Sequence, residues 1–98
     1  MERLNFDYPS AKRRITGKGH VGVVGSGDME VLMQPADAGF AHVSVLTSVN
    51  GFGNSWKAVL DRFFSKYDGA VRIDINDAGA TPGNVMLRLE QAVEVIEQ

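Results

Sequence analysis

Ser26 stands between Gly25 and Gly27 and is followed by Asp28. The two glycines leave the serine hydroxyl sterically open, and successive backbone N–H groups around them can form a small anion-binding nest. Asp28 can orient that hydroxyl, or bind a metal brought by a modifying enzyme. The same four residues can equally do no more than close a hairpin, with Asp28 stabilising the turn. A hydrolase nucleophile elbow is excluded, because G-x-S-x-G needs glycine where Val24 and Asp28 stand, and a helix after the serine.

The other chemistry-bearing residues are scattered. His20 and His42 are isolated, and no Ser–His–Asp arrangement can be assembled by spacing, so each reads as a strand residue. Gly17-Lys18-Gly19-His20-Val21-Gly22 is a literal G-x-G-x-x-G, but it leads into a strand, whereas a dinucleotide site needs those glycines to open a helix. Gly51-Phe52-Gly53-Asn54 leads into a helix whose N-terminus can accept a phosphate. There is no cysteine, hence no disulfide, no thiolate metal site and no cysteine nucleophile. Any thiol chemistry must be imported. No self-sufficient catalytic set and no metal site emerges.

Ser26 must be positioned by the elements around it. Val21 and Val23 alternate with Gly22 and Val24, and after the Gly25–Asp28 break a second alternation runs Met29, Val31, Met33, which predicts a hairpin. A turn cluster, Pro35-Ala36-Asp37-Ala38-Gly39, precedes a third strand from Phe40 to Val49. Trp56, Val59, Leu60, Phe63, Phe64 and Tyr67 then follow helical spacing, Trp56, Phe63 and Phe64 reading as core rather than a stacking platform, with Asn54 expected to cap the helix and Gly69 to end it. Val71, Ile73 and Ile75 make a fourth strand with one face in water. Thr81-Pro82 opens a second helix with the stripe Val85, Met86, Leu89, Val93, Ile96. The order β-β-β-α-β-α, with a parallel crossover between the third and fourth strands, predicts an α+β two-layer sandwich: a mixed four-stranded sheet with two helices on one face.

The chain has 98 residues, one ordinary domain in size, and 44% of them are hydrophobic, too many for a disordered chain. Residues 1–18 read as an N-terminal arm, broken by Pro9, Ser10 and Gly17, ahead of a single domain at 19–98. Residues 1–20 hold five basic side chains, Arg3, Lys12, Arg13, Arg14 and Lys18, against Glu2 and Asp7. Of the 10 basic and 12 acidic residues in all, five and ten are left for the rest. An acidic body argues against nucleic acid, while Lys12, Arg13 and Arg14 are either a solvated arm or a dock for an acidic partner or a phosphate. Neither a membrane-length apolar run nor a secretion-signal order is present, so the cytoplasm is expected.

Val23-Val24-Gly25-Ser26-Gly27-Asp28-Met29-Glu30-Val31 resembles the acyl carrier (delta) subunit family of bacterial malonate decarboxylase. The likeness extends to the Met-Glu-Arg-Leu start, to Thr47-Ser48-Val49-Asn50-Gly51, and to Asp77-Ala78-Gly79-Ala80-Thr81-Pro82-Gly83 followed by Leu87-Arg88-Leu89-Glu90-Gln91-Ala92. The resemblance implies a non-catalytic carrier. In that family the serine corresponding to Ser26 is joined by a phosphodiester to 2'-(5''-phosphoribosyl)-3'-dephospho-CoA, whose thiol holds acetyl and then malonyl as a thioester. Gly25, Gly27 and Asp28 would support the attachment loop. The implied partners are an acyltransferase (alpha) subunit, the decarboxylase (beta and gamma) subunits and the transferase that modifies Ser26.

The related citrate lyase carrier uses the same prosthetic group and is the nearest alternative. A four-helix acyl carrier is disfavoured, because it would place its serine in an Asp-Ser-Leu at a helix start. A second class of reading is an unmodified phosphate- or nucleotide-binding module, using the Gly25–Asp28 nest and the N-terminus of the Asn54 helix without a covalent bond. A third is a structural interaction subunit in which Ser26 is only a turn residue.

Overall fold

A computed structural model describes residues 1–9, 11–37 and 39–97. Strands β1 (Glu2–Tyr8), β2 (Arg13–Arg14), β3 (Gly19–Gly22), β4 (Met29–Pro35) and β5 (Ala41–Thr47) precede helix α1 (Gly53–Phe64), strand β6 (Gly69–Asp77) and helix α2 (Pro82–Ile96). The main sheet has the order β1-β5-β6-β4-β3, and β2 adds two residues to β6. β5 and β6 are parallel, joined through α1 as the crossover length requires, while the β1–β5, β4–β6 and β3–β4 pairs are antiparallel.

Period-two alternation decides which side of each strand meets the helices. Met29, Val31 and Met33 of β4, Val43 and Val45 of β5, and Ile73 and Ile75 of β6 are buried against Trp56, Leu60 and Phe63 of α1 and Val85, Leu89, Ala92 and Ile96 of α2. Their neighbours Arg72, Asp74, Asn76, Glu30 and His42 lie on the opposite, polar face, whose side chains are exposed or half-buried. The two-layer α+β sandwich with a mixed sheet is therefore as the sequence predicts. α2 opens as expected, with the Thr81 hydroxyl accepting from the Asn84 N–H at 3.2 Å and Pro82 in the first turn.

Three expectations are corrected. The sheet is wider than four strands, because Glu2–Tyr8, expected within an arm, pairs along its whole length with β5, from Glu2 opposite Thr47 to Tyr8 opposite Ala41. Leu4, Phe6 and Tyr8 turn inward, and the Tyr8 ring stacks on Phe64 with centroids 4.2 Å apart. Asn54 does not cap α1: Phe52 occupies that position without a side-chain hydrogen bond. Gly69 does not end α1 either; the helix closes at Phe64, and Gly69 opens β6. Of the expected breaker Ser10 and turn residue Ala38, both lie outside the described residues.

The basic stretch is used inside the chain. Arg13 makes two hydrogen bonds to Glu97, at 2.8 and 3.1 Å, an ion pair with Asp68, and lies 5.4 Å from the Tyr67 ring centre. It ties the N-terminal segment to the far end of α2, leaving Lys12 and Arg14 exposed. The G-x-G-x-x-G glycines also have packing reasons, since a Cβ at Gly17 or Gly19 would fall 2.6 Å from the Ile96 carbonyl oxygen or 2.7 Å from its Cγ2.

If β1 is part of the cooperative fold, Tyr8→Ala should lower unfolding free energy by about 1–3 kcal/mol through lost ring packing. Urea denaturation of the variant checks this, and an unchanged midpoint would mean that the segment behaves as a loose arm.

Candidate functional site

β3 stops at Gly22, two residues earlier than the valine alternation predicts. Gly22 has φ 82°, and a Cβ there would sit 2.1 Å from the Met29 carbonyl oxygen, so the chain turns out of the ladder at a point only glycine can occupy. Val23 and Val24, expected in the strand, are instead exposed at 62% and 60%. The connection is thus a six-residue loop, 23–28.

Its tip is a β-turn. The Asp28 N–H donates to the Gly25 carbonyl at 2.9 Å, and Gly27 has φ 75°, the conformation that a type II turn needs at its third residue. Ser26 occupies the second position and is exposed. The neighbouring backbone is tied down: the Gly27 N–H donates to the Ala78 carbonyl at 2.7 Å, and the Ala78 N–H returns a bond to the Asp28 carbonyl at 2.9 Å. With the Gly25 N–H engaged on Val23 as well, the donors expected to form an anion nest are largely occupied within the fold.

Asp28 does not serve the serine hydroxyl. One carboxylate oxygen accepts from Arg88 Nε and Asn84 Nδ2, each at 3.0 Å, and from the Met29 N–H at 2.7 Å; the other accepts from Arg88 Nη2 at 2.6 Å. The Arg88 guanidinium, followed by the backbone N–H of Met29, holds the Asp28 carboxyl far below the usual carboxylate range. This fork-to-carboxylate bond fixes the loop to α2 and engages both oxygens that a metal would need. Among the described residues no cluster of three or more His, Asp or Glu side chains has metal-site geometry.

The loop that receives Gly27 is built on a buried polar pair. Asp77, at the end of β6, accepts from the Thr47 hydroxyl at 2.8 Å and from the N–H groups of Gly79 and Ala80 at 3.1 and 2.9 Å. Thr47 is only 1% exposed and Asp77 6%. The carboxylate therefore shapes residues 77–80 from inside, and those residues in turn present Ala78 to the serine loop.

The structure brings Gly25, Ser26, Gly27 and Asp28 together at one turn and leaves both histidines elsewhere. His20 bonds Glu30 and His42 bonds Asp7 on the outer face of the sheet. Arg88, Asn84, Thr47 and Asp77 carry the loop and are missed by motif reading. The available signal was the polar pair Asn84 and Arg88, four residues apart and each just before a residue of the apolar stripe, Val85 and Leu89, which places both on one side of α2.

Ser26 thus stands exposed on a turn held by main-chain bonds with Ala78 and by the Asp28–Arg88 pair. Known proteins with a similar sequence and fold belong to one family. The family model "Malonate decarboxylase delta subunit (MdcD)" matches residues 16–96. The malonate decarboxylase acyl carrier protein of Azotobacter vinelandii is 46% identical over 97 residues, covering 98% of this chain and 97% of the relative. That of Pseudomonas putida (strain W619) is 50% identical over 99 residues, with the same coverage. A chain in the crystal structure of a Pseudomonas malonate decarboxylase hetero-tetramer in complex with malonate superposes with a TM-score of 0.92 at 46% identity, over 98% of this chain and 99% of that one. The chain belongs to the malonate decarboxylase delta subunit family.

Two predictions test the loop. A side chain at Gly27 meets no atom within 4 Å but must adopt φ 75°, whereas at Gly25 it makes only an ordinary 3.9 Å contact with Val23. Gly27→Ala should therefore cost about 1–2 kcal/mol, and Gly25→Ala close to nothing, in matched denaturation curves. Equal costs would contradict the turn assignment. Because the Asp28 carboxyl is lowered on folding, its stabilisation is present above its ordinary value near 4 and is lost as pH falls toward the folded value. Stability measured from pH 5 down to 2 should fall more steeply for the native chain than for Arg88→Ala. Parallel curves would show that the pair is not formed in solution.

Proposed function

We propose that this chain is the acyl carrier subunit of a malonate decarboxylase, non-catalytic itself, with Ser26 as the attachment point for 2'-(5''-phosphoribosyl)-3'-dephospho-CoA through a phosphodiester. The observation that carries the reading is the serine at the turn tip: exposed, flanked by glycines, and free of side-chain hydrogen bonds among the described residues, while the Gly25, Gly27 and Asp28 N–H groups and the Asp28 carboxylate beside it are engaged within the fold. The open space beyond Gly27, where nothing lies within 4 Å of a would-be Cβ, fits a bulky ester on the adjacent residue. When bound, the group supplies the thiol that a chain without cysteine lacks, and acyl groups ride on it as thioesters.

The chain's own contribution is to hold one hydroxyl out while the turn beneath it stays fixed. Gly25 and Gly27 keep the approach open for the modifying transferase. Asp28, clamped by Arg88, supports the turn rather than the chemistry of attachment. The covalent tether makes each encounter with the acyltransferase and decarboxylase subunits effectively intramolecular, at local concentrations of order millimolar. These partners and this cycle belong in the cytoplasm, and no helix among the described residues is long and apolar enough to cross a membrane.

Intact mass tests the reading. Chain taken from a working complex should carry a phosphate-linked adduct that maps to Ser26, and chain produced alone should be bare. Ser26→Ala should abolish both the adduct and decarboxylation by the reassembled complex, with the fold unchanged by circular dichroism. An active complex containing Ser26→Ala, or a bare native chain, would overturn the proposal.

A further inference from the structure

Beside the serine loop lies a cleft of about 250 Å³ to which the attachment chemistry gives no role. Phe52 at the N-cap of α1 and Trp56 and Val59 within it form one wall, Pro82 and Val85 of α2 the other, and Asp77 lies at its base with its carboxylate already engaged. It opens at the carboxyl ends of the adjacent parallel strands β5 and β6, where α/β sheets commonly leave a ligand crevice. Phe52 is 52% exposed and Val49, also lining the cleft, 38% exposed, so apolar surface at this rim faces water.

The cleft and the serine share a wall. Gly79 lines the cleft, and Ala78, its neighbour, accepts the Gly27 N–H at 2.7 Å. Adding the covalent bonds on either side puts Gly79 within about 10 Å of the Ser26 hydroxyl. In the group named above, the phosphoribosyl and adenosine portions come first from the serine and the thiol comes last. A seat this close can take only the proximal portion while leaving the thiol free to travel. The volume is below the roughly 300 Å³ at which pockets for whole ligands begin, but it suits a flat base laid between the aromatic wall of Phe52 and Trp56 and the aliphatic wall of Pro82 and Val85.

We infer that this cleft seats the adenine of the arm carried on Ser26. The inference rests on the carrier reading and adds a second, non-covalent anchor to it. Pinning the base shortens the freely moving part of the arm to its thiol-bearing end, which narrows the volume searched and raises the local concentration at each partner. It also gives a use to Trp56, the chain's single tryptophan, beyond filling the core.

The test compares bare and adduct-carrying full-length chain by NMR, following the Trp56 indole N–H and the methyl groups of Val49, Val59 and Val85. All should shift in the carrying form. In the bare chain, adenosine should move the same signals with a dissociation constant on the order of millimolar, and pantetheine should not. Ala80→Phe, which fills the cleft, should weaken adenosine at least about tenfold; Phe52→Ala, at a half-exposed position, is the second variant should the first misfold, and should weaken it several-fold. A native chain of unmodified mass defeats the carrier reading and this inference with it. An adduct mapped to Ser26 with unmoved cleft signals, or a cleft that answers to pantetheine rather than adenosine, defeats the inference alone.

Discussion

The bond between Asp28 and Arg88 is the interaction on which the serine turn depends. A two-strand connection of six residues, glycine-rich and carrying two exposed valines, would by composition sample many conformations. The bidentate guanidinium, with Asn84 and the Met29 N–H on the same carboxylate, fastens its last residue to a helix that is itself packed on the sheet. The reciprocal pair of main-chain bonds with Ala78 fastens it a second time, to the loop after β6. The central turn position left outside these bonds is Ser26, the one with a reactive side chain.

This arrangement propagates from the core outward. Thr47 and Asp77 sit at the ends of adjacent parallel strands and satisfy each other with both side chains almost wholly buried. A buried carboxylate is tolerated only when its acceptor capacity is filled, and here the Gly79 and Ala80 N–H groups complete the set. The polar pair, the 77–80 loop and the serine turn therefore form one hydrogen-bonded series leading from the middle of the sheet to its edge. Arg13 plays the corresponding part at the other end of α2, holding that helix against the N-terminal segment.

Most of the architecture was legible in the residues because its signals are local. The helix of Trp56, Leu60 and Phe63, the strand of Val71, Ile73 and Ile75, and the Thr81-Pro82 helix start each declare themselves within a dozen residues. β1 was hidden for a different reason: Leu4, Phe6 and Tyr8 do alternate, but Arg3, Asn5 and Asp7 between them and Pro9 and Ser10 after them made the stretch look like a charged arm. The early end of β3 was hidden too, since Val23 and Val24 favour a strand by type and only the positive φ of Gly22 turns them away. At the site, the serine and its glycines were visible as a motif, whereas the roles of Arg88, 60 residues from Asp28, and of Thr47, 30 from Asp77, are products of the fold. The carboxylate of Asp28 was legible as important, but its direction, away from Ser26 and toward α2, was not.

The central claim is that one hydroxyl is presented freely on a turn whose surroundings are fixed, and amide hydrogen exchange measures that contrast directly. The Gly27 and Asp28 amides should be protected while Ser26, one residue away, exchanges near the rate of an open chain. In Arg88→Ala, Gly27 and Asp28 should lose roughly tenfold or more of their protection while Val43 in the sheet keeps its own. Gly27 exchanging as fast as Ser26 in the native chain would contradict the claim, because the turn would then be a flexible link rather than a fixed support.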